Sequence, residues 1–165
     1  MLLLCLAGCN PKDMNSVTAQ ASGQETQEQE NQEKPSGSLN FHYLDVGQGN
    51  AVLAESQGHY MLIDGGARKA SSFVVSYLEK QGVKELDYLL ISHFDEDHLA
   101  GAIGALHKFP VKQLITPDYE TDSSIYQSYA EVVQEKQYQA IHPKVGDEFA
   151  FGTATFRVIS PVAYG

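Results

Sequence analysis

The sequence predicts a mixed α/β fold of the α+β kind, built as layers of helices and sheets. Three observations predict it. Three short strands joined by glycine-containing turns come first, helical and strand-like segments alternate after them, and repeats are absent. The length of 165 residues suggests one domain. Residues 1–9 and the polar stretch 10–38 do not read as folded, which leaves 39–165 as the domain.

The elements follow in order. Residues 39–45 (LNFHYLD) alternate apolar and polar side chains as a strand does. A turn at Gly47-Gln48-Gly49-Asn50 leads into a second strand over 51–55, and Gln57-Gly58-His59 turns into a third over 60–64 (YMLID). Gly65-Gly66 breaks the pattern. Residues 70–81 carry Phe73, Val74, Tyr77 and Leu78 at helical spacing, with Gly82 at the position after the helix end. An apolar strand over 86–92 (LDYLLIS) precedes a polar loop, HFDED. A second helix is expected over 98–108, where Gly101 and Gly104 permit close packing. A strand follows over 111–116, and a third helix over 123–137 opens at Asp122 or Ser123. Two late strands, 148–151 and 154–159, flank Gly152-Thr153.

Charge narrows the partners. The chain has a formal net charge of −10. From residue 39 onward sixteen acids stand against nine bases, so the domain lacks the general basic field that attracts nucleic acid. A phosphodiester substrate would need a bound cation to supply local positive charge. The two cysteines, Cys5 and Cys9, both precede the domain. A disulfide framework, a thiolate metal ligand and a cysteine nucleophile are excluded there. Metal chemistry must use histidine and carboxylate.

Residues 1–9 (MLLLCLAGC) are too short to span a bilayer and end in small residues. Leu6-Ala7-Gly8-Cys9 resembles the bacterial lipobox. That resemblance implies a lipoprotein-type signal cut before Cys9, with Cys9 carrying the lipid, although no Lys or Arg precedes the apolar run. Residues 10–38 are rich in Gln, Glu, Ser, Asn and Thr, and are expected to be a disordered polar tether. The plan is that of an extracytoplasmic protein, lipid-anchored to a bacterial cell membrane.

The chemistry is concentrated in six residues. His93, Asp95, Asp97 and His98 follow directly on a buried strand, in the kind of loop that presents ligands from a rigid scaffold. Two imidazoles and two carboxylates suit Zn²⁺, Mn²⁺ or Fe²⁺. In an extended loop, His93, Asp95 and Asp97 would point to one side, and His98 would serve a second ion. Two neighbouring ions can polarise a substrate oxygen and generate a hydroxide.

The run HFDEDH resembles the His-x-His-x-Asp-His signature of the metallo-β-lactamase superfamily, as a His-x-Asp-x-Asp-His variant. With Asp45-Val46-Gly47-Gln48-Gly49 and Leu62-Ile63-Asp64-Gly65-Gly66 upstream, it is similar to the hydrolase domain of the competence DNA-uptake channel ComEC and its free-standing relatives. The resemblance implies the N-terminal half of an αββα sandwich and two divalent metal ions in the complete domain, zinc first and manganese second. His93 and Asp95 would hold one ion, and Asp97 and His98 the other. Asp97 would also orient the attacking water, and Asp64 would support the ligands from behind. It further implies a hydrolysable small molecule or phosphodiester as substrate, with nucleic acid a candidate partner. Asn50 departs from the pattern, where an acidic residue is frequent. A His, a bridging Asp and a last His are also expected downstream, and residues 160–165 resemble the point just before the half that carries them.

Several residues carry simpler readings. Gly47 and Gly49 shape a turn. His42, His59, His107 and His142 are surface or core histidines, and Asp118, Glu120 and Asp122 form a solvated acidic loop. Two rival functions remain beside metal-dependent hydrolysis. One is a truncated, inactive fragment whose second sheet face is left uncovered. The other is a DNA-uptake-associated binding lipoprotein, against which the acidic balance counts.

Overall fold

Strand alternation sorts the apolar side chains of the central segments onto two faces, and both faces are buried. The computed structural model describes residues 37–161 and, along the backbone, the strand Leu4–Ala7. Strands β2 (Leu39–Tyr43), β3 (Val52–Ser56), β4 (His59–Ile63), β5 (Leu86–Leu90), β6 (Val111–Ile115) and β7 (Ala140–Ile141) form one sheet in chain order. The first three make the expected antiparallel meander. From β4 to β7 the pairing is parallel, with helices α1 (Ser71–Lys80), α2 (Glu96–Lys108) and α3 (Ser124–Glu135) as the crossovers. Strand β7 is a two-residue pair that the sequence pattern did not signal.

Leu53, Leu62, Leu89, Ile91 and Leu114 face the helices and join Val74, Leu78, Leu99 and Leu106 in one core. Leu89 has no exposed surface, so Leu89→Ala would cost about 2–5 kcal/mol through the lost burial and the cavity left behind. In α1 the buried stripe is Val74 and Leu78, while Phe73 is 45% exposed. The face expected from Phe73 is therefore rotated by about one residue: Phe73 lies roughly 100° round the helix from Val74 and rests on Tyr77 instead. Gly82 takes φ +82° just past the helix end, where its N–H bonds Glu79. Ser123 caps α3, its Oγ accepting from the N–H of Tyr126 at 3.2 Å.

The opposite face is covered, contrary to the uncovered face expected of a truncated sandwich. Ala54, Met61, Tyr88, Leu90 and Ile115 pack against Phe151, Phe156 and Val158. Those residues come from β8 (Glu148–Phe151) and β9 (Ala154–Val158), an antiparallel hairpin. Burying Phe151 and Phe156 contributes about 1.5–3 kcal/mol each. The Tyr88 hydroxyl donates to the Ala150 carbonyl at 2.8 Å and ties the two sheets together.

The free edge of β9 takes β1 (Leu4–Ala7) as an antiparallel partner, with Leu4 opposite Val158 and Ala7 opposite Thr155. Residues 1–9 were expected to stand apart from the fold. An apolar extended segment and an open row of strand N–H and C=O groups satisfy one another, which accounts for the pairing. Cys9 and most of the tether lie outside the described residues. Among the described residues, no helix is long and apolar enough to cross a membrane.

Candidate metal centre

Parallel strands β4 and β5 end side by side, and the ladder continues one step further through the Asp64 N–H to Leu90 carbonyl bond at 2.8 Å. Asp64 therefore emerges beside Ser92, at the strand end that also launches the metal-loop sequence. Asp64 is 1% exposed and has φ +57°. A left-handed backbone is uncommon outside glycine, although Asp tolerates it better than most residues, and such strain persists where its surroundings hold it in place.

Four donors hold it. Its Oδ1 accepts from the Ser92 N–H at 2.8 Å. Its Oδ2 accepts from Ser92 Oγ at 2.7 Å, from the Asn50 side-chain amide at 3.1 Å and from His98 Nδ1 at 2.8 Å. A carboxylate that accepts from His98 Nδ1 fixes the proton on that nitrogen and leaves Nε2 with its lone pair. Ser92 extends the arrangement. Its hydroxyl proton goes to Asp64, so its oxygen accepts from His93 Nδ1 at 2.9 Å. His93 thus also presents Nε2. One buried carboxylate sets the tautomer of both imidazoles.

The donors converge. His93, Asp97 and His98 place one ligand atom each within 4.8 Å of one another, and all three residues are partly buried. The imidazole centroids of His93 and His98 lie 4.0 Å apart. Two imidazole nitrogens with freed lone pairs and one carboxylate are a donor set that fits a borderline divalent cation such as zinc.

Asp95 lies outside this group. Its side chain is 79% exposed and, among the described residues, makes its ion-pair approach to His93, at 3.6 Å from Nε2. The extended-loop geometry expected for residues 93, 95 and 97 ends at Asp95, because α2 begins at Glu96 rather than at residue 98. Asp95 is the N-cap residue with extended φ and ψ, and its carbonyl accepts from the N–H groups of His98 and Leu99. Beyond it the side chains turn by about 100° per residue, and Asp97 and His98 open onto the same space as His93. Glu96 and Asp97 in the first turn also complement the helix dipole.

Glycines bring the supporting loops into contact with α2. Gly49 has φ +110°, and a Cβ there would collide with the Asp97 carbonyl. Gly65 and Gly101 face each other so closely that a Cβ on either would strike the other's backbone or that of Ala102. The N–H of Gly65 bonds the His98 carbonyl at 2.8 Å, and the N–H of Gly101 bonds the Gly66 carbonyl at 3.0 Å. These two turns lock the Asp64 loop onto the first turns of α2.

The other histidines are placed elsewhere: His42 on the Tyr77 hydroxyl, His59 on Asp87, His107 in α2 and His142 on Thr116. Beside the metal loop, on the far side of Phe94, a pocket of about 280 Å³ is formed by Phe94, Thr116, Tyr119, Tyr126, Tyr129 and His142, with Asp118 and Glu120 at its wall. The acidic loop thus lines a pocket that the sequence did not reveal. Burial pushes the Tyr129 phenol up to about 12.

A family model described as the metallo-beta-lactamase superfamily matches residues 44–157. The chain is 33% identical over 104 residues to "Recombination protein 2" of Haemophilus influenzae, covering 60% of this chain and 13% of that protein. It is 25% identical over 138 residues to "ComE operon protein 3" of Bacillus subtilis, covering 73% of this chain and 18% of that protein. The chain therefore spans less than a fifth of the length of these curated relatives. Among solved structures, the metallo-beta-lactamase SMB-1 in complex with mercaptoacetic acid aligns with TM-score 0.54 and 21% identity, over 70% of this chain and 48% of that one. That likeness supports the fold expected from the sequence. With the family match running from the loop after β2 through the His/Asp cluster and into the late hairpin, this chain belongs to the metallo-beta-lactamase superfamily.

Proposed function

We propose that this chain is a metal-dependent hydrolase module acting on phosphodiester bonds, with zinc as its preferred ion and manganese as a substitute. The observation that carries the proposal is the single buried carboxylate, Asp64, which holds His98 through Nδ1 and His93 through Ser92, in a cluster that also includes Asp97. A bound divalent cation would supply Lewis-acid polarisation of a phosphoryl oxygen and lower the pKa of an adjacent water. The chain's own residues supply the rest. His93, His98 and Asp97 hold the ion, and Asp97 is placed to orient the attacking water and accept its proton. Its carboxylate is also contacted by the Gln48 amide at 3.5 Å. The phosphodiester preference draws on the competence and recombination names of the relatives.

The experiment is hydrolysis of bis(p-nitrophenyl) phosphate and of single-stranded DNA by the zinc- or manganese-loaded chain. Turnover that EDTA abolishes, metal restores and Asp97→Ala eliminates is expected. A chain with verified metal content that cleaves neither substrate would rule the proposal out.

We also propose that Cys9 carries a lipid that anchors the module outside the cytoplasm, after a cleavage that would remove residues 1–8 and with them the β1 strand paired to β9. Incorporation of labelled palmitate that disappears in Cys9→Ala is the expected result. Equal labelling of the variant would refute the anchor.

A further inference from the structure

A cleft of about 530 Å³ opens next to the donor cluster, lined by Gln48, Ala67, Arg68, Lys69, Glu96 and Asp97. Asp97 belongs to both, so whatever occupies the cleft lies against the site. The cleft places two cations beside that site, in a chain of net charge −10. Among the described residues, Lys108, Lys112 and Arg157 make ion pairs, whereas Arg68 and Lys69, like Lys80, Lys84, Lys136 and Lys144, do not; of these six only Arg68 and Lys69 line this cleft.

The backbone beneath these side chains is fixed. Arg68 and Lys69 occupy a 3-10 turn, Arg68–Ala70, that follows Gly65-Gly66 where that pair docks on α2. The Arg68 N–H donates to Glu96 Oε1 at 2.9 Å, which fastens the turn to the first turn of α2 through one oxygen of that carboxylate. Opposite, Gly47 has no side chain and takes φ +75°. A Cβ there would come within 3.8 Å of Lys69 Nζ, so the ammonium lies over the loop that carries Gln48. Two cations outside any ion pair and the Gln48 amide, which also contacts Asp97, therefore line one space together with the Glu96 and Asp97 carboxylates, and a guanidinium fork and an ammonium both suit phosphate oxygens.

We propose that Arg68, Lys69 and Gln48 form an anion subsite that binds a phosphodiester group next to the one held at the donor cluster. It selects a chain of linked phosphates over an isolated ester. The inference rests on the hydrolytic reading above, in which the donor cluster takes the reacting phosphate. Binding energy gathered at the neighbouring phosphate would then position the bond to be cleaved.

The test uses the ¹⁵N-labelled, zinc-loaded full chain with two probes: the thymidine trinucleotide d(TpTpT) and its uncharged methylphosphonate analogue. The amides of Gly47, Gln48, Arg68 and Lys69 should shift with d(TpTpT) and not with the analogue. The exposed double substitution Arg68→Ala/Lys69→Ala should weaken d(TpTpT) binding about tenfold, the contribution of one charge-assisted hydrogen bond. It should also reduce the dependence of log affinity on log salt by about 0.7 for each cation removed. Equal binding of the two probes, undiminished binding by the double variant, or no d(TpTpT) binding at all would overturn the subsite. Hydrolysis is scored separately. Loss of hydrolysis with Arg68- and Lys69-dependent binding intact removes only the hydrolase proposal, whereas hydrolysis without that dependence removes only the subsite.

Discussion

The two ends of strand β5 carry similar residue types in opposite electrostatic arrangements. At its start, Asp87 meets Lys112 at 2.8 Å, His59 at 3.2 Å and the Tyr60 N–H at 3.0 Å, and Lys112 also meets Glu85 at 2.9 Å. Partial burial works against ionisation of Asp87, but Lys112, Tyr60 and His59 outweigh it and hold the carboxyl below the usual range. Asp87 and then Glu85 push Lys112 upward. Past the strand's end, Asp64, Asp97, His93 and His98 gather with no Lys or Arg in ion-pair contact among the described residues. The first cluster balances its charge within the chain. The second has no internal counter-charge among the described residues. Histidine and carboxylate are therefore common to both ends; what separates them is the internal cation, present at the first and absent among the described residues at the second.

The comparison breaks most sharply at Asp64. Asp64→Ala should cost about 3 kcal/mol or more, because Ser92, His98 and Asn50 would keep buried donors without an acceptor. Urea unfolding measures this, and a cost below 1 kcal/mol would show that the hub is dispensable. Next is Gly49→Ala, whose Cβ meets the Asp97 carbonyl from a left-handed backbone. A loss of about 1–3 kcal/mol and weaker zinc binding are expected together.

Among the ligands, His93→Ala, Asp97→Ala and His98→Ala should each reduce zinc affinity beyond the roughly 10–100-fold typical of losing an outer partner. Asp95→Ala, at an exposed position, should stay below about tenfold by the same measure. Equal losses at Asp95 and Asp97 would restore Asp95 to the ligand set.

The smallest effect belongs to the paired end. Asp87 has a lowered folded pKa, so its contribution is present above the unfolded value of about 3.9 and fades as pH falls through the folded value. Asp87→Asn should lower the urea midpoint at pH 7, and the deficit should shrink at pH 3.

Much of this was legible in the sequence. Alternation in residues 39–64 and the apolar run at 86–92 located the meander and the buried strand, since period-two burial leaves a direct trace. HFDEDH and Asp64 marked the site. Other features depended on where chain-distant groups meet. Nothing near Asp95 states that the helix begins at Glu96 rather than at residue 98, and that two-residue difference sets the directions in which Asp97 and His98 point. Ser92 sat in plain view before His93, but its relay to Asp64 exists only because β4 and β5 end together. Asn50 looked like a departure from a pattern; in the fold it is a donor to Asp64. The pairing of Leu4–Ala7 with β9 is likewise invisible locally, because edge complementarity depends on two segments more than a hundred residues apart.

The central claim is that His93, Asp97 and His98 form a preorganised divalent-cation site. Isothermal titration of zinc into the purified 165-residue chain tests it most directly. Saturable, stoichiometric binding is predicted, lost in both His93→Ala and His98→Ala and weakened about 10–100-fold in Asp64→Asn, which removes the carboxylate that orients both rings. Absence of saturable binding, or affinity unchanged in His98→Ala, would contradict the account.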